Sequence, residues 1–282
     1  MNAHTVWTTW RRILREEPLH AAILSGDCTD LQQRFLLSDD EAEAALHYAR
    51  DARSARWFVE NYRFRMGNSF LNALETGAPL TLRALMAGGH EISGLATDFL
   101  NSVGWRDYGP FVYTFCADAL DYLKNQPAVV RLAGMADLIG LEAAAVATLR
   151  RCAAQPARTD PHGGPQQAGQ AEKKWSQTGC ATLYRSSTQL GQWLRDKATL
   201  GRVPLPSGDT IFVAYFVDDE HTHRFATLPA RAEELYAALA APADRQELSA
   251  RLATRGAAPL TPDDERFLAL LQQCRAIAER WA

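Results

Sequence analysis

The residues best placed to do chemistry lie in the turn Asp218-Asp219-Glu220-His221 and at His223 just after it. Two histidines at i and i+2 share one face of a strand, and nearby carboxylates could complete a metal site. The sequence offers no obvious third neutral ligand, and a solvated hairpin turn explains the same residues more simply. We therefore predict no metal ligands in this chain.

Cys116 is the other candidate reactive group, with Asp118 and Asp121 close by. These residues follow a helical pattern whose apolar stripe accounts for the cysteine as a core residue. The HExxH, GxSxG, P-loop and GxGxxG motifs are all absent. We predict no catalytic residues and no cofactor here, and a self-sufficient thiol or metal enzyme using Cys116 or the acidic turn is the minor alternative.

Composition limits the classes of partner. The chain has 282 residues, 47% of them hydrophobic and 22% charged, with a formal net charge of -3. This balance argues against broad attraction to nucleic acid or to an anionic membrane. The five scattered cysteines form no CxxC pair, the first residues do not resemble a signal peptide, and no run of about 18 apolar residues occurs. We expect a cytoplasmic protein with free thiols.

The pattern of elements predicts an α+β fold. Residues 1–152 indicate an all-helical domain, with a capping box at Ser38 and Glu41 and a long helical run expected to break near Asn61 or Met66-Gly67. Residues 153–174 are rich in Pro, Gly, Gln and Ala and are predicted to be a flexible linker. Residues 175–282 are predicted to form a small winged-helix-like domain, with a three-stranded antiparallel sheet and three helices.

The sheet is expected to have a covered centre and an open edge. The strand at 210–217 is apolar on both faces, which favours a central position, and the more polar strand at 222–228 suits an edge. The last helix is predicted to run from its cap at Thr261 to Trp281. Its apolar face is wider than one small core needs.

These two features predict a peptide-binding site. An extended peptide would add to the edge at 222–228 and lay apolar side chains against the last helix. The residues expected to contact it are Thr222, His223, Arg224, Phe225, Ala226, Phe267, Leu270, Leu271 and Cys274. On this hypothesis Leu271→Asp would weaken peptide binding without unfolding the domain.

Two polar and aromatic clusters in the helical domain predict a docking face for a protein partner, because Tyr, Trp and Arg are enriched at interface hot spots. The alternative is that half of each cluster is core and half is surface. The candidate interface residues are Tyr62, Arg63, Arg65, Asn68, Trp105, Arg106, Tyr108 and Tyr113.

Three stretches carry a resemblance to a known family. The first runs from Tyr62 through ALETGAPLTLRALMAGGHEISGLATDFL. The second is GWRDYGPFVYTFCADALDYL, and the third is RLAGMADLIGLEAAAVATLRR. In them the helical half resembles the partner proteins of multinuclear non-haem iron oxidases in peptide biosynthesis, most of all those of methanobactin biosynthesis. The C-terminal half is similar in layout to the recognition element of ribosomal-peptide pathways. The segment 153–209 looks long for that family.

The resemblance implies a non-catalytic subunit that forms a heterodimer with an iron oxidase. Iron would be held by the partner chain, and this chain would hold the leader of a precursor peptide. The complex would oxidise core cysteines to oxazolone and thioamide groups, as in the biosynthesis of methanobactin-type copper chelators. No nucleic acid and no membrane partner is implied.

A winged-helix DNA-binding regulator is the main alternative, with the last helix in a major groove. Residues 210–282 contain eight Arg or Lys and eleven Asp or Glu, and the last helix opens with three acids. Both features make this surface negatively charged, which disfavours binding to the phosphates of DNA.

Overall fold

The computed structural model of the chain describes residues 2–109, 111–154, 173–217 and 222–281, and within them the predicted α+β fold is confirmed. No described helix is long and apolar enough to cross a membrane. The helices are α1 (Ala3–Arg15), α2 (Glu17–Ser25), α3 (Leu31–Arg34), α4 (Asp39–Arg50), α5 (Ala52–Gly77), α6 (Pro79–Ala87), α7 (Ile92–Ser102), α8 (Val112–Lys124), α9 (Pro127–Val130), α10 (Met135–Ala154), α11 (Gly191–Arg195), α12 (Ala230–Ala238), α13 (Arg245–Thr254) and α14 (Glu265–Gln273). The strands are β1 (Lys173–Gln177), β2 (Ala181–Thr188), β3 (Ser207–Val217), β4 (Thr222–Leu228) and β5 (Ile277–Trp281).

The first compact unit comprises Met1–Asn72 and Glu91–Val112. Its helices α1, α2 and α4 enclose a core that includes Ile13, Leu19 and Ile23, all fully buried. The predicted capping box is present at the start of α4: Glu41 N–H donates to Ser38 Oγ at 3.3 Å, and Ser38 N–H donates to Glu41 Oε2 at 2.9 Å.

The predicted break near Asn61 or Met66-Gly67 is wrong. Helix α5 passes through both points without interruption, and the chain bends earlier, at Asp51 between α4 and α5. Val59, Met66 and Phe70 are all buried on α5. Their spacing of seven and then four residues keeps one stripe of the helix against the core, so packing outweighs the low helix propensity of Gly67.

The second compact unit comprises Ala73–His90 and Tyr113–Ala282. It contains the antiparallel sheet in the order β2-β3-β4, with β3 in the centre and β4 at an edge, as predicted. On one face of the sheet Ile211, Val213 and Leu228 join a core with Leu235 of α12 and Leu268 of α14. Both faces of β3 are therefore covered or buried, which explains its doubly apolar sequence.

Helix α10 packs on β2 and β3, so the compact units do not follow the predicted boundary at residue 152. Asp137 of α10 accepts hydrogen bonds from the Tyr184 hydroxyl at 3.1 Å, from Ser187 N–H at 3.1 Å and from the Thr188 hydroxyl at 2.7 Å. Gly140 makes the approach possible, because a Cβ there would lie 2.8 Å from the Tyr184 ring. The helix is thus joined to the sheet by contacts that the sequence pattern does not predict.

The last predicted helix also needs correction. Helix α14 ends at Gln273, where Arg275 adopts a positive φ of 51° and Ala276 N–H bonds the Leu271 carbonyl at 2.8 Å. The chain then forms β5, which pairs antiparallel with β1 and aligns Trp175 with Glu279. Burial of Ile277 in the core favours this strand over a longer helix.

The predicted linker at 153–174 is described only at its two ends. Helix α10 extends to Ala154, and β1 begins at Lys173. The remaining residues, 155–172, lie outside the described part of the chain, and the linker stays a prediction there.

Glu142 on α10 caps the start of α6 from a distance. Its carboxylate is fully buried and accepts hydrogen bonds from Leu80 N–H at 3.0 Å and Thr81 N–H at 2.6 Å. These N–H groups have no partner within their own helix. Burial outweighs these bonds and raises the pKa of Glu142 to about 7.

The raised pKa gives a testable pH dependence. A carboxyl whose folded-state pKa exceeds its unfolded-state value of ~4.3 stabilises the fold fully below pH ~4.3, and this stabilisation is lost as pH rises to about 7. Between pH 4.5 and 8, Glu142 should lower the free energy of unfolding by up to ~3 kcal/mol, and we expect Glu142→Gln to remove this decline. Urea unfolding across that pH range measures it. Exposed Glu43→Gln is the control, and an equal change in both variants would contradict the assignment.

Candidate peptide-binding edge and docking groove

Strand β4 presents an open edge. It pairs with β3 from Thr222 opposite Val217 to Leu228 opposite Ile211, and no other described strand lies on its far side. An edge strand displays a row of backbone N–H and C=O groups that can pair with a further strand. The far edge of β4 is therefore unpaired among the described strands.

The predicted contact residues on β4 divide between the two faces of the sheet. Ala226 is half-buried against the core beneath α12–α14, and exposed Arg224 lies on that same face by strand alternation. His223 and Phe225 lie on the other face, with their rings edge to face at 5.2 Å. Burial lowers the pKa of His223, which favours a neutral ring beside the phenyl group. Thr222 begins the strand.

The predicted contact residues on α14 also divide. Leu271 and Cys274 are core residues, exposed by 0% and 3%, so a peptide at the surface would not contact them. Phe267 and Leu270 are half-buried and form the outer flank of the same core. Their flank, which we call the α14 flank, is the part of the helix that remains available.

This burial overturns the expectation that Leu271→Asp would spare the fold. A charged carboxylate at Leu271 would lie in an apolar core with no partner, which is strongly destabilising. The sequence showed the width of the apolar stripe on α14. It did not show which edge of the stripe faces the interior.

An ion pair fixes the start of α14. Arg231 on α12 donates from Nε to Asp264 Oδ1 at 2.9 Å and from Nη2 to Asp264 Oδ2 at 2.8 Å. The hydrogen bonds from Arg231, opposed by burial and aided by Thr261, lower the pKa of Asp264 to about 2. Glu265 forms an ion pair with Arg245. Two of the three acids at this helix start are therefore used within the fold.

The predicted docking clusters are largely internal. Trp105 and Tyr108 are buried. The Arg63 guanidinium carbon lies 4.7 Å from the centre of the Trp105 ring, and Arg63 Nη2 lies 2.7 Å from Glu17 Oε2. Arg106 lies 4.9 Å from the Tyr108 ring. These contacts hold the segment after α7 against its own unit, which is the structural alternative left open by the sequence.

The other members of the predicted interface differ in exposure. Tyr62 and Tyr113 are half-buried, whereas Arg65 and Asn68 lie on the surface of α5. Arg65, Asn68 and Arg106 are thus the exposed members of the predicted interface, and Arg106 is engaged with the Tyr108 ring.

A different surface of the first unit is open and aromatic. A pocket of about 590 Å³ lies among α1, α4 and α5. The ring centres of Trp10 and Tyr48 lie 5.1 Å apart there. Phe58, at the rim of the pocket, is 55% exposed, and the adjacent Trp57 is 60% exposed. We call this surface the aromatic groove; it is lined by Val6, Trp10, Ala44, His47, Tyr48, Asp51, Ser54, Ala55 and Phe58.

Sequence reasoning missed the aromatic groove because Tyr48, Ala55 and Phe58 fit the helical spacing of a core stripe. The helix is interrupted at Asp51, and beyond this point Ala55 is buried whereas Phe58 is 55% exposed. The adjacent pair Trp57-Phe58 was a usable signal, because two neighbouring residues on a helix cannot both lie at the centre of one stripe.

No group of three or more His, Cys, Asp or Glu is placed to hold a metal ion among the described residues. The acidic turn at 218–221 lies outside them. Cys116 is buried beneath Gly77, and burial raises the pKa of its thiol far above the usual range. A thiolate nucleophile is disfavoured at that position.

Comparison with known protein families finds no matching family model, and comparison with curated proteins finds no matching sequence. The function is therefore inferred from the residues and the geometry of this chain.

Proposed function

We propose that this chain is a non-catalytic, peptide-binding subunit of an iron-dependent oxidase complex. It binds the leader segment of a ribosomally made precursor peptide at β4. The observation that carries the proposal is the open edge of β4 on a three-stranded sheet backed by α12–α14. The resemblance in the sequence gives the class of partner and of product.

The leader would pair its main chain with β4, so that its side chains alternate between the two faces of the sheet. On one face an apolar leader side chain would meet Ala226 and the α14 flank. On the other it would meet Phe225 beside neutral His223. Main-chain hydrogen bonds would supply affinity, and these apolar contacts would supply selectivity.

The partner is a multinuclear non-haem iron oxidase subunit, whose own chain holds the iron. We assign its docking site to the aromatic groove, because exposed Trp and Phe side chains around a hollow are typical of interface anchors. Tethering the leader raises the effective concentration of the core peptide at the oxidase. The partner would then oxidise core cysteines to oxazolone and thioamide groups, using oxygen.

The proposal is tested by co-expressing the tagged chain with an iron oxidase candidate encoded beside its gene. We expect a stoichiometric heterodimer with iron in the oxidase subunit. The chain should also bind a labelled candidate precursor peptide encoded in the same locus, as measured by fluorescence anisotropy. If the chain binds neither the oxidase subunit nor the precursor peptide, and instead binds duplex DNA with an affinity that falls steeply with salt, the result would support the winged-helix alternative.

A further inference from the structure

A second concave surface lies in the second unit, and its lining is cationic. It is a pocket of about 400 Å³ that His90, Arg131 and Arg202 line from three separate segments of the chain. His90 follows α6, Arg131 lies between α9 and α10, and Arg202 lies in the loop after α11. We call it the cationic pocket.

The pocket is bounded by fixed backbone. Gly201 has a φ of 70°, and a Cβ there would lie 2.6 Å from the Ala84 Cα, so only glycine lets the loop lie against α6. The loop that carries Arg202 is held by Leu205 N–H bonding the Ala133 carbonyl at 2.9 Å. Trp193 Nε1–H bonds the Val203 carbonyl at the same distance.

Three carbonyl oxygens at the end of α6 accept backbone hydrogen bonds. Gly88 N–H bonds the Ala84 carbonyl at 2.9 Å, and Gly89 N–H bonds the Met86 carbonyl at 3.1 Å. His90 N–H bonds the Leu85 carbonyl at 3.0 Å. These three carbonyls are therefore satisfied as hydrogen-bond acceptors by the turn that ends α6.

The two arginines of the pocket have no acidic partner among the described residues. No Asp or Glu lines it, and neither Arg131 nor Arg202 makes an ion pair with a carboxylate of the described residues. Arg12, Arg34 and Arg231 elsewhere do make such pairs. Two arginines that line one pocket without an ion-paired carboxylate are notable in a chain whose net charge is -3.

We propose that the cationic pocket binds a small oxyanion, a molecule carrying carboxylate or phosphate groups. The planar guanidinium groups of Arg131 and Arg202 match the geometry of either group, and His90 adds a further donor. Leu132 and Met135 add apolar side chains to the lining, which suits an organic acid with a short apolar part. The pocket volume is within the range of small-molecule sites. This site lies apart from β4 and does not depend on the proposed function.

The test uses the full chain with citrate and inorganic phosphate as probes, at constant ionic strength set with NaCl. We expect each probe to raise the melting temperature of the wild type with a saturable dose dependence, because a ligand that binds the native state stabilises it. Titration calorimetry should give a matching Kd. Arg131→Gln and Arg202→Gln should each weaken binding at least tenfold.

Arg255→Gln is the matched control, because Arg255 is exposed at the end of α13 and outside the pocket. It should bind the probes as the wild type does. A purely structural role of the arginines at the end of α6 predicts a lower melting temperature in both pocket variants but an unchanged Kd for the probes. That outcome, or a wild-type response that never saturates, overturns the proposal.

Discussion

Leu271→Asp is expected to unfold the core beneath the sheet, lowering the free energy of unfolding by at least ~4 kcal/mol. Leu271 is completely buried among the apolar side chains of α12–α14 and β3. The substitution removes apolar contacts and places an unpartnered carboxyl group in their place. Urea unfolding followed by circular dichroism measures the loss, and Leu271→Ala provides a milder variant expected to lose ~2–5 kcal/mol.

The two preceding residues of the same helix give a matched series. Ala269 is exposed and Leu270 is half-buried on the α14 flank. We expect Ala269→Asp to fold and to bind the candidate leader as the wild type does. Leu270→Asp should lose much less stability than Leu271→Asp, since Leu270 is only half-buried, but should bind the leader at least tenfold more weakly, because the peptide would have to desolvate a carboxylate.

The series separates stability from binding within one turn of helix. Normal leader binding by folded Leu270→Asp would place the peptide elsewhere on the sheet and contradict the assigned α14 flank. A wild-type urea midpoint for Leu271→Asp would instead contradict the burial on which both assignments depend.

The second large effect is expected at the aromatic groove. Phe58→Ser removes a large exposed ring that lines the groove, and Trp57→Ser removes the exposed ring whose centre lies 5.0 Å from that of Phe58. Interface anchors of this kind contribute ~2–4 kcal/mol, so we expect the Kd for the oxidase subunit to rise by about 30-fold to 1,000-fold. Both variants should keep the wild-type melting temperature, because the side chains are more than half exposed. Surface plasmon resonance with immobilised oxidase subunit measures the change.

Two controls on the same helix decide between the aromatic groove and the interface predicted from the sequence. Phe64→Ser removes an equally exposed ring that does not line the groove. Arg65→Glu reverses the charge of a predicted interface residue that is exposed on α5. We expect neither to weaken docking by more than about twofold, within the ±0.5 kcal/mol typical of ordinary surface positions. Loss of docking by Arg65→Glu alone would restore the original interface prediction.

The sequence alone determined the elements that depend on neighbouring residues. The capping box at Ser38, the central position of β3 and the edge position of β4 all follow from local spacing, because side-chain periodicity records which faces an element buries. The α+β fold follows from the same patterns. The edge position of β4, on which the proposed function depends, is therefore a property that local side-chain alternation is enough to predict.

Only the tertiary structure decided which apolar residues are interior. Leu271 and Leu270 are equivalent in a hydrophobic pattern, yet one is core and the other lies on its flank. Trp105 has the residue type of an interface anchor and is buried, while Phe58 fits a core stripe and lines an open groove. Burial depends on what the rest of the chain places opposite a residue, and distant segments such as β1, β5 and the loop at Arg202 supply those neighbours.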